Sequence, residues 1–198
     1  MSPTNSGLQL ILASTSRYRK DLLARLGLAF KTAAPEVDET PLDGEPPNDI
    51  ASRLALAKAQ AVRARFPTAL IIGSDQVAVC DGGRLEKPMT HAVAVQQLRH
   101  VSDRSVNFHS AVVLLNARSG RMQAHLVPTV VKFRRLDDAE IERYLHREPA
   151  YDCAGSAKAE GLGISLVESI ESVDPTALIG LPLIALSGML REENIDVP

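Results

Sequence analysis

Apolar and polar positions fall into short blocks that mark most of the elements. Leu8–Ala13 is an apolar run that stops at Ser14-Thr15-Ser16 and reads as a buried strand. Ser16 is a candidate N-cap; Tyr18, Leu22 and Leu26 then recur four apart, and Gly27 can end that helix. Leu28–Ala34 suggests a second strand, closed by Pro35, and the stretch from Pro35 to Pro47 is turn-rich and acidic. A helix follows, capped by Asn48 or Asp49, with Ile50, Leu54, Ala57 and Ala61 as its inner stripe and Pro67 beyond its end. Leu70-Ile71-Ile72 is a buried strand, with Gly73-Ser74-Asp75-Gln76 at its carboxyl end and Val77–Cys80 continuing it. Asp81-Gly82-Gly83 is a hairpin turn signal, and Thr90–Val101 is helical.

The period then changes. Val106–Leu115 and Met122–Phe133 read as an antiparallel pair of strands around a turn at Asn116–Gly120. Asp137 caps a helix to Arg147, Tyr151–Gly163 is polar and glycine-rich, and Ile164–Val167 is a short strand. Thr176–Leu190 is helical, with Pro182 placed to break or delay it. The pattern predicts a mixed α/β chain, with strand-to-helix units in front and a hairpin in the middle. With no repeat and no linker, the 198 residues read as a single domain, 1–198, whose residues 1–7 form a tail.

Composition narrows the class. Apolar residues make up 45% and charged residues 23%, which is globular rather than disordered or coiled-coil. A net charge of −2 gives no basic footprint, and 4% aromatics without Trp give no stacking platform, so a nucleic-acid polymer is not the expected partner. No apolar run approaches the roughly 18 residues of a membrane span, and no basic segment precedes Leu8. The expectation is a cytoplasmic protein with two reduced cysteines, Cys80 and Cys153, and the scatter of His and Cys argues against a zinc site.

Several residues break local rules. Arg17, Arg19 and Lys20 sit at the start of a predicted helix, where the dipole disfavours cations, beside the hydroxyls of Ser14-Thr15-Ser16. A bound phosphate would relieve that conflict; solvated surface charge is the plain alternative. Lys58 falls on or beside the apolar stripe of its helix, where a snorkelling lysine is the ordinary reading. Asp75 is a carboxylate inside an apolar run, which needs a partner or a metal to offset its desolvation. Glu36 and Glu39 could hold a hard divalent cation or simply sit in water. Lys87 on a hairpin exit and Glu160 between Gly155 and Gly161 are weaker signals of the same kind. Cations, hydroxyls and carboxylates without a nucleophilic triad suggest a phosphate ester, a divalent metal and water as nucleophile.

The blocks Leu10–Ser16 with Arg19, Ala34–Glu39, Leu56–Gln60, Ile72–Val77 and Lys87-Pro88 closely resemble the Maf-like nucleotide pyrophosphatase family. Glu148-Pro149, Cys153–Ser156 with Lys158, Glu160 and Gly161, and Ile179–Leu183 carry the resemblance on to about Leu190. Gly73-Ser74-Asp75-Gln76 and the Cys153 block are similar to the branch acting on 7-methyl-GTP; the branch acting on dTTP and UTP typically has Gly-Ala-Asp-Thr. The resemblance implies an elongated mixed-sheet fold akin to inosine triphosphate pyrophosphatases, with a central cleft. It implies hydrolysis of a nucleoside triphosphate to its monophosphate and pyrophosphate, with Mg2+, Mn2+ or Co2+, so that modified nucleotides are removed before incorporation into nucleic acid. It also implies a homodimer.

By the same resemblance Ser14 and Arg19 match the phosphate-binding turn, Lys58 and Lys87 the catalytic lysines, and Glu39 a carboxylate at the metal. Asp75 matches the proton acceptor, with a metal-ligand role also open, and Tyr18, Gln76 and Glu160 match positions that set base choice. Two departures stand out: Leu85-Glu86 precedes Lys87 where the family usually has Gly, and Tyr18 replaces a frequent Trp. A dTTP/UTP pyrophosphatase and a non-catalytic nucleotide-binding regulator of cell division are the rival readings.

Overall fold

A computed structural model of the chain describes residues 8–197, so the tail expected over residues 1–7 lies outside the described residues. Twelve helices and strands follow in order: β1 (Leu10–Leu12), α1 (Arg17–Ala24), β2 (Phe30–Thr32), α2 (Pro47–Arg63), β3 (Leu70–Cys80), β4 (Gly83–Leu85), α3 (His91–Val101), β5 (Ser105–Asn116), β6 (Met122–Phe133), α4 (Asp138–Arg147), β7 (Val167–Ser172) and α5 (Leu183–Glu192). The sheet runs β2-β1-β3-β5-β6-β7, with β4 paired to β3. β1 is parallel to both β2 and β3, with Ile11 opposite Lys31 and Ile71, whereas β3–β4 and β6–β7 are antiparallel. The mixed α/β class is therefore as expected. Among the described residues, no helix is long and apolar enough to cross a membrane.

The chain folds as two compact units. The first comprises residues 8–76, 110–127 and 174–197, and the second residues 77–109 and 128–173. In the first unit, alternate strand residues Leu10, Leu12, Leu70, Ile72, Val112 and Leu114 bury one sheet face against Leu22 and Leu23 of α1 and Leu186, Met189 and Leu190 of α5. The other face meets α2. At Gly73 of β3 an added methyl group would overlap the Ala55 carbonyl oxygen and stand 2.9 Å from the Ala59 nitrogen. Glycine is required there because helix backbone lies directly on strand backbone.

In the second unit, β3 turns into β4 through Asp81 and Gly82, both at positive φ (49° and 80°), the two-residue turn whose twist matches a hairpin. Helix α4 opens with a reciprocal cap: Asp137 Oδ1 accepts from Glu140 N, and Glu140 Oε2 accepts from Asp137 N.

Four local expectations change. Helix α2 starts at Pro47 behind Pro46 rather than behind Asn48 or Asp49; proline at a first helical position has no N–H to leave unpaired. Its buried face is Ile50, Ala51, Leu54, Ala55, Lys58, Ala59 and Val62, whereas Ala57 is half-buried and Ala61 exposed. β3 does not end at Ile72: it leaves its β1 pairing there and takes up β4 from Ala78, so Asp75 sits mid-strand. Ile164 belongs to a 3-10 turn over Leu162–Leu166, and the strand begins at Val167. Pro182 does delay the last helix, to Leu183, after a short 3-10 turn at Ala177–Ile179 and Gly180 at φ 112°.

Gly73→Ala must push α2 off the sheet. Overpacking of this kind costs about 1–3 kcal/mol, and equilibrium urea unfolding of the variant is expected to show a loss at least that large with an unchanged m-value.

Candidate active site

The α2–β3 contact brings Lys58 across to Asp75. Lys58 lies three residues after Ala55 and beside Ala59, the two residues seated on Gly73, and Asp75 is two residues further along the same strand face. The Lys58 side chain is only 7% exposed, and its ammonium donates to Asp75 Oδ1 at 2.5 Å and lies 2.8 Å from Glu39 Oε1. The Asp75 side chain is 10% exposed and that of Glu39 60%. The snorkelling reading of Lys58 is therefore overturned: its charge is turned inward because two carboxylates meet it there. The mutual repulsion expected of Asp75 and Glu39 is relieved by this ammonium. Removing one partner of a buried ion pair strands the other charge, typically at about 3–5 kcal/mol.

The acidic loop is clamped onto α2. Arg53 holds both oxygens of Glu45 at 2.6 and 2.7 Å and donates to the Thr40 carbonyl at 3.2 Å. Thr40 N donates to Asp38 Oδ1, and Leu42 N to Glu45 Oε2. These bonds bracket Glu39 and carry it to Lys58. The Arg53 guanidinium, chiefly through its hydrogen bond, pulls the Glu45 carboxyl down to about 2. Glu36 is exposed in the same loop.

Arg19 completes the charge set. Its Nε donates to the Gly180 carbonyl at 2.8 Å, and it feels the charges of Asp75 and Glu39. Desolvation lowers its pKa, and the two carboxylates oppose that shift. Ser14 is buried at the end of β1, and its Oγ accepts from Ser16 N at 3.1 Å, while Ser16 Oγ caps α1 by accepting from Arg19 N. Serine hydroxyls thus satisfy part of the turn that the sequence marks as an anion site. Arg17 lies 4.8 Å above the Tyr18 ring and donates to its hydroxyl at 2.8 Å. Two of the three rule-breaking cations at the start of α1 therefore have partners, an aromatic face for Arg17 and a carbonyl with the field of two carboxylates for Arg19, while Lys20 is exposed.

Gln76 and Ser74 occupy the opposite strand face. Gln76 Nε2 lies 2.9, 2.9 and 3.0 Å from Ser110 Oγ, Ala177 O and Leu178 O. Its amide donors are committed to the 177–178 turn, so contact with a base would fall to its carbonyl oxygen. Ser74 Oγ, fully buried, lies 2.8 Å from Ala111 O and 2.9 Å from Gly180 O. Asp174 and Thr176 fix the same segment: Asp174 Oδ2 accepts from Ile184 N and Thr176 Oγ1 from Leu183 N, capping α5 where Pro182 supplies no side chain. Gly73, Ser74 and Gly180 entered the sequence reading only as members of the resembling blocks and Ser110 only as part of a strand; the structure gives all four a supporting role.

Lys87 and Glu160 belong to the second unit, and both are exposed. The unexpected Glu86 carboxylate pairs with Arg84 of β4, and its carbonyl accepts from Gln97 at 2.8 Å. Glu160 precedes Gly161, where a side chain would run into the Glu148 carboxylate; Glu148 Oε2 also accepts from Gly163 N. Tyr144 Oη accepts from Lys158 N, and burial, helped by Glu148, pushes that phenol up. A surface hollow of about 650 Å³ in the first unit, lined in part by Lys20, Leu28, Phe30 and Lys31, contains none of the predicted site residues.

For a divalent cation, the all-oxygen pair of Glu39 and Asp75 has the donor chemistry that magnesium and manganese take, and it already converges on a positive charge. The expectation that His and Cys do not cluster fails in space. Cys80, Asp81 and His100 form one group, and His91, Glu142 and His146 another, each with ligand atoms within 4.8 Å of one another.

Residues 9–193 match the family model of the Maf-like proteins. The chain belongs to the Maf-like family. Among the relatives of this Maf-like chain are a protein from Aromatoleum aromaticum, 56% identical over 96% of this chain and 98% of its own, and one from Thiobacillus denitrificans, 55% identical over 98% and 96%. A third, from Burkholderia pseudomallei, is 57% identical over 92% of this chain and 86% of its own. Each of the three is named 7-methyl-GTP pyrophosphatase.

The loop clamp in this Maf-like chain has a defined pH window. A carboxyl lowered in the folded state contributes stability above its unfolded pKa, near 4.5, and loses it as pH falls through about 2. Glu45→Gln is therefore expected to melt below the parent at pH 7, with the gap closing between about pH 4.5 and 2, as read by thermal melts across that range.

Proposed function

We propose that this protein hydrolyses 7-methyl-GTP to 7-methyl-GMP and pyrophosphate, clearing the modified nucleotide from the cytoplasmic pool before it enters nucleic acid. The observation that carries the reading is the buried Lys58 ammonium shared by Asp75 and Glu39, with Arg19 beside them, in a chain whose relatives bear that name.

In this reading Asp75 is the proton acceptor for the attacking water. It is a carboxylate held at one atom by Lys58, on a strand rather than a loop. Arg19, Lys58 and Lys87 balance the triphosphate and the charge that grows on the leaving pyrophosphate. The Ser14 hydroxyl, which accepts from Ser16, donates to a phosphoryl oxygen. Glu39 and Asp75 would hold a divalent cation, which supplies Lewis-acid polarisation of the phosphate when bound. Tyr18 presents a π face to the cationic methylated ring, a role supported by the Arg17 cation already resting there. Glu160 accepts from the Watson–Crick edge of guanine and Gln76 offers its carbonyl, polar partners that a pyrimidine would leave unpaired.

Pyrophosphate release from 7-methyl-GTP, GTP, dTTP, UTP and CTP with magnesium, manganese or cobalt tests the reading. Preference for 7-methyl-GTP is expected, and Asp75→Asn is expected to lose about 100-fold or more in kcat while nucleotide binding, read by calorimetry, survives. Preference for dTTP or UTP would overturn the substrate; release that is unchanged in Asp75→Asn would overturn the mechanism.

Tyr18→Ala is expected to raise KM for 7-methyl-GTP by about 2- to 30-fold, the range of a cation–π contact worth about 0.5–2 kcal/mol. KM for GTP should move less, and equal shifts for the two nucleotides would remove Tyr18 from base recognition.

A further inference from the structure

His91 opens α3, and its Nε2 lies 2.8 Å from Glu142 Oε2 on α4. His146 stands one turn beyond Glu142 on the same helix, with its Nδ1 3.6 Å from that oxygen, and the His91 and His146 rings meet edge to face at 5.3 Å. One ligand atom from each residue falls within 4.8 Å of the others. Two imidazoles and a carboxylate form the donor set of open zinc sites, whereas magnesium and calcium favour oxygen alone.

The rings are also oriented from behind. His91 Nδ1 bonds to Tyr151 Oη at 2.9 Å. His146 Nδ1 also lies 2.8 Å from the Glu142 carbonyl, a contact that steadies its ring. Such outer bonds select the tautomer and angle of a metal-binding histidine. The three side chains are 39%, 44% and 73% exposed, so an ion has entry and water can fill its remaining position.

The second cluster does not share these properties. At Cys80, Asp81 and His100 a cation is already present: Arg104 lies 3.3 Å from Asp81 and 2.9 Å from His100 Nδ1. Burial also raises the Cys80 thiol, which disfavours the thiolate a metal needs.

We propose that His91, Glu142 and His146 bind a divalent transition-metal ion of the zinc class, with His91 and His146 as nitrogen ligands and Glu142 as the oxygen ligand. The bound ion ties the first residue of α3 to α4. Lys87 lies four residues before His91, so the site sits at the root of the segment that carries it. This site is separate from the oxygen pair of the first unit and does not depend on the nucleotide reading.

The test uses tag-free, chelator-treated full-length protein, titrated with Zn2+ by calorimetry and with Co2+ as a visible-absorption probe. In excess magnesium, which saturates the oxygen pair of the first unit, a single bound zinc equivalent and a zinc-dependent rise in melting temperature are expected. His146→Ala and Glu142→Gln should each weaken zinc by more than about tenfold, and Tyr151→Phe by about tenfold, the low end for an outer partner. His146 is the most exposed of the three, so the metal-free melt of His146→Ala should match the parent and certify its fold. Absence of zinc binding, unchanged affinity in folded His146→Ala, or binding abolished by Asp75→Asn instead would each overturn the proposal. Magnesium in excess should leave the cobalt spectrum unchanged; its displacement by magnesium would also count against a nitrogen-rich site.

Discussion

The seat of α2 on Gly73 governs the first unit. Helix backbone rests on strand backbone because neither Gly73 nor the facing Ala55 and Ala59 interposes a long side chain. That closeness lets a lysine on the inner face of a helix reach a carboxylate in the middle of a strand. With a wider gap, Lys58 and Asp75 would each be a buried charge with an incomplete partner, and the fold would carry two desolvation costs in place of one ion pair.

Strand alternation then divides the work of β3. Gly73 and Asp75 face α2, where the charges gather, while Ser74 and Gln76 face the turn before α5. Their bonds to Ala177, Leu178 and Gly180 fix a carbonyl that also takes the Nε of Arg19. The guanidinium is therefore aimed by backbone, and the backbone is held by the strand that carries Asp75. Lys58 and Arg19, although they come from different helices, are referenced to the same four residues of β3.

Much of this was legible in the sequence, and the failures have physical causes. Apolar runs located β1 and the start of β3, and the Ser16 and Asp137 caps stand where their side chains bond forward. Asp75 was conspicuous as a carboxylate in an apolar strand. The inward aim of Lys58 was not, because alanines surround α2 on several sides and blur the phase of its stripe. Gly73 carried no signal of its own, since a glycine in a strand has several meanings until its neighbour is known. The cluster of His91, Glu142 and His146 spans two helices that the chain visits some fifty residues apart, and such proximity has no local trace. The family resemblance marked blocks of residues, and physical contact then explained why small residues accompany the charged ones.

The Arg17 guanidinium on the Tyr18 ring has one more consequence. An aromatic plane left bare would invite any flat apolar molecule; here it carries a resident rival. A neutral ring must displace a cation and offers less electrostatic attraction in return, whereas a ring with its own positive charge exchanges like for like. Under the proposed function the protein would set an entry threshold before any edge of the base is read, and discrimination would begin with a contest over one face of one tyrosine.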